Sequence, residues 1–141
     1  MSETRIRFDA PFCAAVRLWR EDWSEERNVA VYGVCASPNG HGHDYLLTVE
    51  VAGRPDVETG MVMDYMDLKR LVEEQVLAHV DHRNLNVDVP FLQGIVPTSE
   101  NILAATWPRL AGGLPSGVRL HALHLREGRD CACSYFGPDD E

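Results

Sequence analysis

The sequence predicts an α+β domain in which a four-stranded antiparallel sheet carries two helices on one face. Two observations support this fold class. Segments with β-strand character lie in two groups, one towards each end of the chain, and two segments with helical spacing lie between them. Two hairpins that flank two helices form one antiparallel sheet covered on one side. The predicted order of elements is therefore β, β, α, α, β, β.

The first two strands are predicted in the N-terminal third of the chain. Apolar and polar residues alternate loosely from Arg5 to Trp19, which indicates a long strand with an irregularity near Pro11. The polar run Arg20 to Asn28 interrupts this pattern. Tyr45 to Val51 is the clearest strand, because β-branched and aromatic residues are frequent in it and Gly53 follows it.

Two helices are predicted in the middle of the chain, and a hairpin after them. The first helix begins near Asp64 or Tyr65, where apolar side chains start to recur at intervals near 3.6 residues. The second fits Ser99 to Leu110, with Thr98 or Ser99 as its N-cap. The two C-terminal strand candidates, Val118 to His124 and Asp130 to Phe136, are separated by a connection short enough for a hairpin.

Composition limits the classes of function. A chain of 141 residues with 45% hydrophobic and 25% charged residues is expected to form one domain over residues 1–141. The net charge of −9 and the lack of a Lys/Arg cluster argue against nucleic acid as a partner. No signal-type segment and no run of about 20 apolar residues occurs, so we expect no membrane partner and a cytoplasmic protein with reduced cysteines.

His41 and His43 are candidate metal ligands. They are two residues apart at the entrance to a predicted strand, so alternation points both imidazoles to one face, as two nitrogen ligands of one metal require. The alternative is a polar surface turn with two solvated histidines. The spacing alone does not decide between these interpretations.

Cys35, Asp81 and His82 are candidates for proton transfer. Cys35 precedes the two histidines, and a nearby histidine or metal could convert its thiol into a thiolate that acts as nucleophile or base. The alternative is a buried, inert cysteine. Asp81 and His82 adjoin each other, and such a pair matters only if the fold brings a partner to it.

Glu127 is a candidate ligand-binding carboxylate at the last hairpin. A carboxylate can accept two hydrogen bonds from the planar N–C–NH₂ edge of a pterin or guanine ring. The alternative is an ordinary hairpin charge. Cys131 and Cys133 share a strand face and are interpreted as small buried residues rather than metal ligands.

Six sequence signatures occur in order along the chain: Phe12 to Leu18, Cys35 to Tyr45, Thr59 to Asp64, Asp81 to Asn86, Pro97 to Asn101, and Glu127. With these signatures the chain resembles the 6-pyruvoyl-tetrahydropterin and 6-carboxy-tetrahydropterin synthase family from about Phe12 to Phe136. The resemblance implies a tunnelling fold, in which trimers close a barrel and two trimers form a homo-hexamer. It also implies active sites between subunits.

The resemblance assigns roles to the candidate residues. Cys35 would be the proton-transferring thiol, assisted by Asp81 and His82, and Glu127 would anchor a pterin-like small molecule. The implied reaction is that of a carbon–oxygen lyase, which eliminates triphosphate from 7,8-dihydroneopterin triphosphate or a close relative without a redox cofactor. The residues that would support Glu127 are Thr98, Ser99 and Glu100.

The chain departs from the family pattern at Val16. The resemblance implies that His41 and His43 are zinc ligands, but the family's third ligand is a histidine at the position that Val16 occupies here. Zinc is therefore a conditional cofactor. Cys13 is three residues away and would face the other way in a regular strand. The alternative to a lyase is a pterin- or purine-binding paralogue that lacks the family reaction.

Overall fold

The computed structural model describes residues 2–139, which form one sheet with helices packed on it. The strands are β1 (Thr4–Val16), β2 (His41–Gly53), β3 (Arg83–Asn84), β4 (Val118–Glu127) and β5 (Cys131–Tyr135). Their order across the sheet is β3-β1-β2-β4-β5. The four long strands are antiparallel to their neighbours, whereas β3 is parallel to β1.

The prediction of a four-stranded antiparallel sheet is therefore wrong in its strand count and in the direction of one strand. The fifth strand, β3, arises because the chain that follows the helical segment ending at Val80 returns along the open edge of β1. There His82 N donates to Cys13 O at 2.7 Å and Leu85 N donates to Ala15 O at 2.8 Å. These bonds satisfy backbone groups that an edge strand would otherwise expose. Only two residues of β3 pair, so alternation gave no signal of it.

Strand β1 is regular, contrary to the irregularity predicted near Pro11. It stays in register with β2 from end to end, and Pro11 pairs with Leu46. Proline is tolerated where its missing N–H faces an open edge, and β3 pairs with Ala14 and Ala15, beyond Pro11. The register shift of the sheet lies instead between β2 and β4, at Glu50 and the next residue.

The helix beginnings follow their capping residues. Helix α2 (Tyr65–Val72) starts after Asp64, whose side chain accepts from Met66 N, as predicted. It continues through the π-helical segment Glu73–Leu77 into α3 (Ala78–Val80). Helix α4 (Ser99–Ala111) starts after Thr98, whose side chain accepts from a first-turn N–H. Both predicted helices are confirmed within a few residues.

Helix α1 (Glu25–Tyr32) was not predicted. It begins within the polar run Arg20 to Asn28 and continues beyond it. The Ser24 side chain caps it by accepting from Arg27 N, and acidic residues fill its first turn. Asn28 is its buried residue, and apolar periodicity is therefore absent. The capping serine was the signal that could have revealed it.

The hydrophobic core lies on one face of the sheet, beneath α2 and α4, as predicted for the layered arrangement. Alternate residues of the long strands supply its sheet side, which includes Phe12, Val16, Tyr45, Leu47, Val49, Leu123 and Leu125. The helices supply Leu68, Val72, Ile102, Leu103 and Leu110. Among residues 2–139, every helix is too short or too polar to cross a membrane.

Candidate functional site

A pocket of about 200 Å³ lies where the beginning of α4 meets the ends of β1, β2, β4 and β5. The register of the sheet places it there, because Val16 at the end of β1 pairs with His41 at the start of β2. The pocket is lined by Val16, Leu18, His41, Tyr45, Pro97, Thr98, Ser99, Glu100, Glu127, Cys131, Ala132 and Cys133. The substrate-binding candidates of α4 and the last hairpin therefore meet in one cavity.

Glu127 is positioned by backbone pairing and by one side chain. It pairs with Tyr45 across β2 and β4, so the two side chains share a face. Gly128 begins the hairpin turn with a φ of +67°, and its N–H donates to Asp44 O at 2.9 Å. Ser99 Oγ donates to Glu127 Oε2 at 2.8 Å. The carboxylate thus lines the pocket, where it accepts a hydrogen bond from α4.

His41 and His43 lie on the core-facing side of β2, as the alternation predicted. Their ring centroids are 4.7 Å apart and their planes are nearly perpendicular. Among residues 2–139, His41 Nδ1 and His43 Nε2 are buried and have no hydrogen-bond partner. Glu127 Oε1 lies 2.8 Å from His43 Nε2, but this contact lacks hydrogen-bond geometry. The interpretation as a solvated surface turn is therefore wrong.

These two histidines fit a bound divalent metal. One ring nitrogen of each and a carboxylate oxygen of Glu127 lie within 4.8 Å of one another. Buried polar atoms without partners are rare in proteins, and a metal would satisfy both nitrogens. Burial lowers the pKa of His41, His43 lowers it further, and Glu127 opposes both effects. The neutral imidazole that a metal requires is thereby favoured.

Tyr45 is a pocket residue that the sequence interpretation assigned only to the strand. Its ring stacks on Phe12 with centroids 4.9 Å apart and meets the His43 ring edge-on at 5.7 Å. Burial, and then the nearby Glu127 and Cys35 side chains, raise the pKa of Tyr45 far above its ordinary value. The hydroxyl therefore stays protonated.

Cys35 lies in the 3₁₀ turn Gly33–Ala36, between α1 and β2. Its carbonyl accepts from Leu18 N at 2.8 Å, which fixes the turn beside the end of β1. The side chain is half-buried and close enough to Tyr45 to affect that hydroxyl. Cys35 therefore lies at the margin of the pocket, neither inert in the core nor among its lining residues.

Asp81 and His82 lie elsewhere, beside Cys13. Asp81 Oδ1 is 2.9 Å from His82 Nδ1 and also accepts from Cys13 N at 3.1 Å. His82 is mostly exposed and has a left-handed φ of +58°. Cys13 faces away from Val16, as expected from their odd separation. Within one chain, Asp81 and His82 are grouped with Cys13 and not with Cys35.

The remaining pocket residues come from α4 and β5. Thr98 is occupied as the N-cap of α4, whereas Glu100 lines the cavity. Cys133 is half-buried, and burial, Glu100 and Glu127 raise the pKa of its thiol. Cys131 is exposed, so its expected burial is wrong, because β5 is an edge strand.

Comparisons with known proteins agree with this architecture. A sequence model of the family described as 6-pyruvoyl tetrahydropterin synthase matches residues 5–138. The chain is 44% identical over 126 residues to the 6-pyruvoyl tetrahydrobiopterin synthase of Pongo abelii, covering 89% of this chain and 86% of that protein. It is 34% identical to the dihydroneopterin monophosphate aldolase of Pyrococcus furiosus, covering 91% and 93% of the two chains.

A solved structure supports the same relationship. The 6-pyruvoyl tetrahydropterin synthase of Caenorhabditis elegans superposes with a TM-score of 0.91 at 35% identity, covering 98% of each chain. The two chains therefore share one fold over nearly their whole lengths. This similarity includes the strands and the helix that form the pocket.

Proposed function

Since the chain belongs to the 6-pyruvoyl tetrahydropterin synthase family, we propose that it is a pterin-processing lyase that eliminates triphosphate from 7,8-dihydroneopterin triphosphate or a close relative. The observation that carries the proposal is the Glu127 carboxylate, which Ser99 holds in the pocket. It lies beside two histidines whose buried ring nitrogens have no partner among residues 2–139. Buried ring nitrogens without partners are suited to binding a ligand, and they add little to the stability of the fold.

Glu127 is proposed to recognise the pterin ring. A carboxylate accepts two parallel hydrogen bonds from a planar N–C–NH₂ edge, and charge-assisted bonds of this type are strong and directional. Thr98, Ser99 and Glu100 form the α4 side of the pocket and would support the anchor. A cavity of about 200 Å³ is smaller than typical ligand pockets of roughly 300–1,000 Å³, so it would hold the ring and leave the phosphates outside.

Cys35 is proposed to transfer the proton. Its thiolate would take a proton from a side-chain carbon of the substrate, and the electrons left on that carbon would expel triphosphate from a neighbouring carbon. The hydrogen that the side chain loses would return to the pterin ring, so no external oxidant or reductant is required. Zinc bound by His41 and His43 would polarise the side-chain oxygens and make the adjacent carbon more acidic.

An oligomer would complete the site. Because Asp81 and His82 do not reach Cys35 within one chain, a second copy of the chain is proposed to bring its pair to this thiol. The sheet ends at β5 on one side and, on the other, at β3 and the part of β1 that the two-residue strand β3 leaves unpaired, and a ring of copies would cover these edges. We therefore propose a homo-hexamer of two trimers. A cytoplasmic location and the absence of nucleic-acid partners stay predictions from composition.

The decisive experiment is incubation of the purified oligomer with zinc and 7,8-dihydroneopterin triphosphate. Free triphosphate should appear, and the Cys35→Ala variant should release far less. Product analysis is needed because a relative is named as an aldolase, and aldol cleavage would leave the phosphates on a carbon fragment. A folded oligomer that releases no triphosphate would contradict the proposal.

A binding protein without the reaction is the second candidate. It is favoured by Val16, which is 2% exposed and occupies the position of the family's third histidine ligand. Two protein nitrogens alone would hold zinc more weakly than the usual three ligands. Neopterin would then raise the melting temperature of the protein while no triphosphate is released.

A further inference from the structure

The pocket contains a third metal-binding group at a position that the family pattern does not assign to a ligand. We propose that Glu127 is the third protein ligand of a divalent transition-metal site with His41 and His43, and that metal and pterin therefore compete for this carboxylate. The competition rests on the proposed function, because it requires Glu127 to anchor the pterin ring. The ligand assignment itself does not.

The two histidines create the need for a ligand between them. His41 Nδ1 and His43 Nε2 are both buried, and neither has a hydrogen-bond partner within the described part of the chain. Leaving such an atom buried and unpaired costs about 1–3 kcal/mol. Strand β2 fixes the face of the sheet on which both side chains lie. A metal would satisfy both nitrogens at once.

The Glu127 carboxylate lies beside the nitrogens of the two histidines. Ser99 occupies Oε2, which leaves Oε1 facing His43 Nε2 at 2.8 Å without a hydrogen bond. Donor atoms around a tetrahedral zinc with bonds of about 2.1 Å lie about 3.4 Å apart. The three donors of this group lie within 4.8 Å of one another, so small side-chain rotations suffice.

No better third ligand is available among residues 2–139. Val16 pairs with His41 and offers no donor atom. Cys133 lines the pocket but does not belong to the group of converging donors. The other group, around Cys13, is on the far side of β1 from Val16. Two histidines and one carboxylate are an established donor set for catalytic zinc and for non-haem iron.

The competition follows from the geometry of a single carboxylate. A pterin edge uses both oxygens of Glu127, and a metal bound at Oε1 takes one lone pair and part of the negative charge from that carboxylate, while Oε2 keeps a second lone pair beside the Ser99 hydrogen bond. Metal binding should therefore weaken pterin binding, and pterin should weaken metal binding by the same factor. A third histidine at position 16 would release the carboxylate from this conflict.

Zinc affinity tests the ligand assignment. The metal-free full chain is titrated with Zn²⁺ against a chromophoric chelator. Glu127→Gln should lower the zinc affinity at least about 10-fold. Glu127→Asp should do the same, because its side chain is one methylene shorter and holds the carboxylate farther from the histidines. Glu100→Gln is the matched control, because it removes the same charge from the same pocket but lies outside the donor group. Glu100→Gln should lower zinc affinity far less than Glu127→Gln does, because it removes a charge from the pocket but no ligand.

The Val16→His background sharpens this test. It should raise zinc affinity, and within it Glu127→Gln should cost much less than in the unaltered chain, because a third nitrogen replaces the carboxylate. An equal zinc affinity for Glu127→Gln and Glu100→Gln, with both variants folded by their melting temperatures, would overturn the ligand assignment. An equal cost of Glu127→Gln in both backgrounds would also overturn it.

Neopterin fluorescence tests the competition. Saturating Zn²⁺ should weaken neopterin binding to the unaltered chain at least about 5-fold and should have little effect on the Val16→His variant. Neopterin that binds equally with and without zinc would overturn the competition. If neopterin binds to none of the forms, the proposed function fails instead, and the zinc titrations still decide whether Glu127 is a ligand.

Discussion

Two glutamates of this sheet lie beside histidines, and their surroundings are opposite. On the outer face, Glu50 is 4% exposed and contacts His124 Nε2 at 3.2 Å and Arg7 at 3.3 Å. His124 Nδ1 is in turn 2.7 Å from Ser134 Oγ. At the pocket, Glu127 faces His43 without a hydrogen bond. The protein satisfies the first cluster, whereas in the second the buried nitrogens His41 Nδ1 and His43 Nε2 have no hydrogen-bond partner among residues 2–139.

This difference separates a structural cluster from a ligand site. Burial would raise the pKa of Glu50, but hydrogen bonding to His124 and the positive charge of Arg7 lower it overall. Its charge is therefore stabilised by the fold itself. The nitrogens of His41 and His43 lack such partners within residues 2–139, so the fold tolerates them at a cost. Groups left in that state are expected where function needs them.

Loss of the Cys35 thiol should have the largest effect. Cys35→Ala removes the proposed proton carrier, and kcat should fall about 10²–10⁴-fold while the melting temperature hardly changes. Val34→Ala is the matched control, because its side chain is exposed in the same turn. Steady-state assays of triphosphate release provide the measurement. A Cys35→Ala enzyme with normal turnover would remove this residue from the mechanism.

Glu127→Gln should have the next largest effect on activity. Loss of charged hydrogen bonds worth about 1.5–3 kcal/mol should lower kcat/KM roughly 10–150-fold. Stability should change little, because the side-chain carbonyl oxygen of a glutamine can still accept the hydrogen bond from Ser99 Oγ. Kinetics and thermal melting are measured on the same sample. A large loss of stability would show that Glu127, like Glu50, has a structural role.

Glu50→Gln should give the reverse result. It removes the charge that His124, Arg5 and Arg7 surround, so the free energy of unfolding should fall by about 1–3 kcal/mol. The melting temperature should drop by roughly 3–12 °C. Activity per folded chain should be retained, since Glu50 lies on the face opposite the core and pocket. Equal damage to activity from both glutamate variants would break the comparison.

The smallest effect is the pH dependence of Glu50. Its pKa is lower in the folded chain than the ordinary 4.5, so its contribution to stability is complete above that value. It is lost as the pH falls through the lower, folded pKa. The difference in stability between the unaltered chain and Glu50→Gln should therefore shrink below about pH 4.5, as urea titrations can measure. A difference that stays constant would contradict the sign of this shift.

Local patterns predicted the parts of the site that one segment can specify. The two-residue spacing of His41 and His43 placed both rings on one face, because strand alternation is a property of the chain itself. The caps Asp64 and Thr98 predicted where α2 and α4 begin, because capping satisfies the first free N–H groups locally. The resemblance to a family supplied the relevance of Cys35, which no local pattern shows.

Distant pairings decided the rest. The sequence by itself determined the strand and helix segments and the face on which the histidines lie, since these follow from local periodicity and capping. Only the tertiary structure decided that Glu127 meets His43, because this contact depends on the register of β2 against β4, some 80 residues apart. It likewise separated Cys35 from Asp81 within one chain, because the chain after α3 returns to the edge of β1 and not to the pocket.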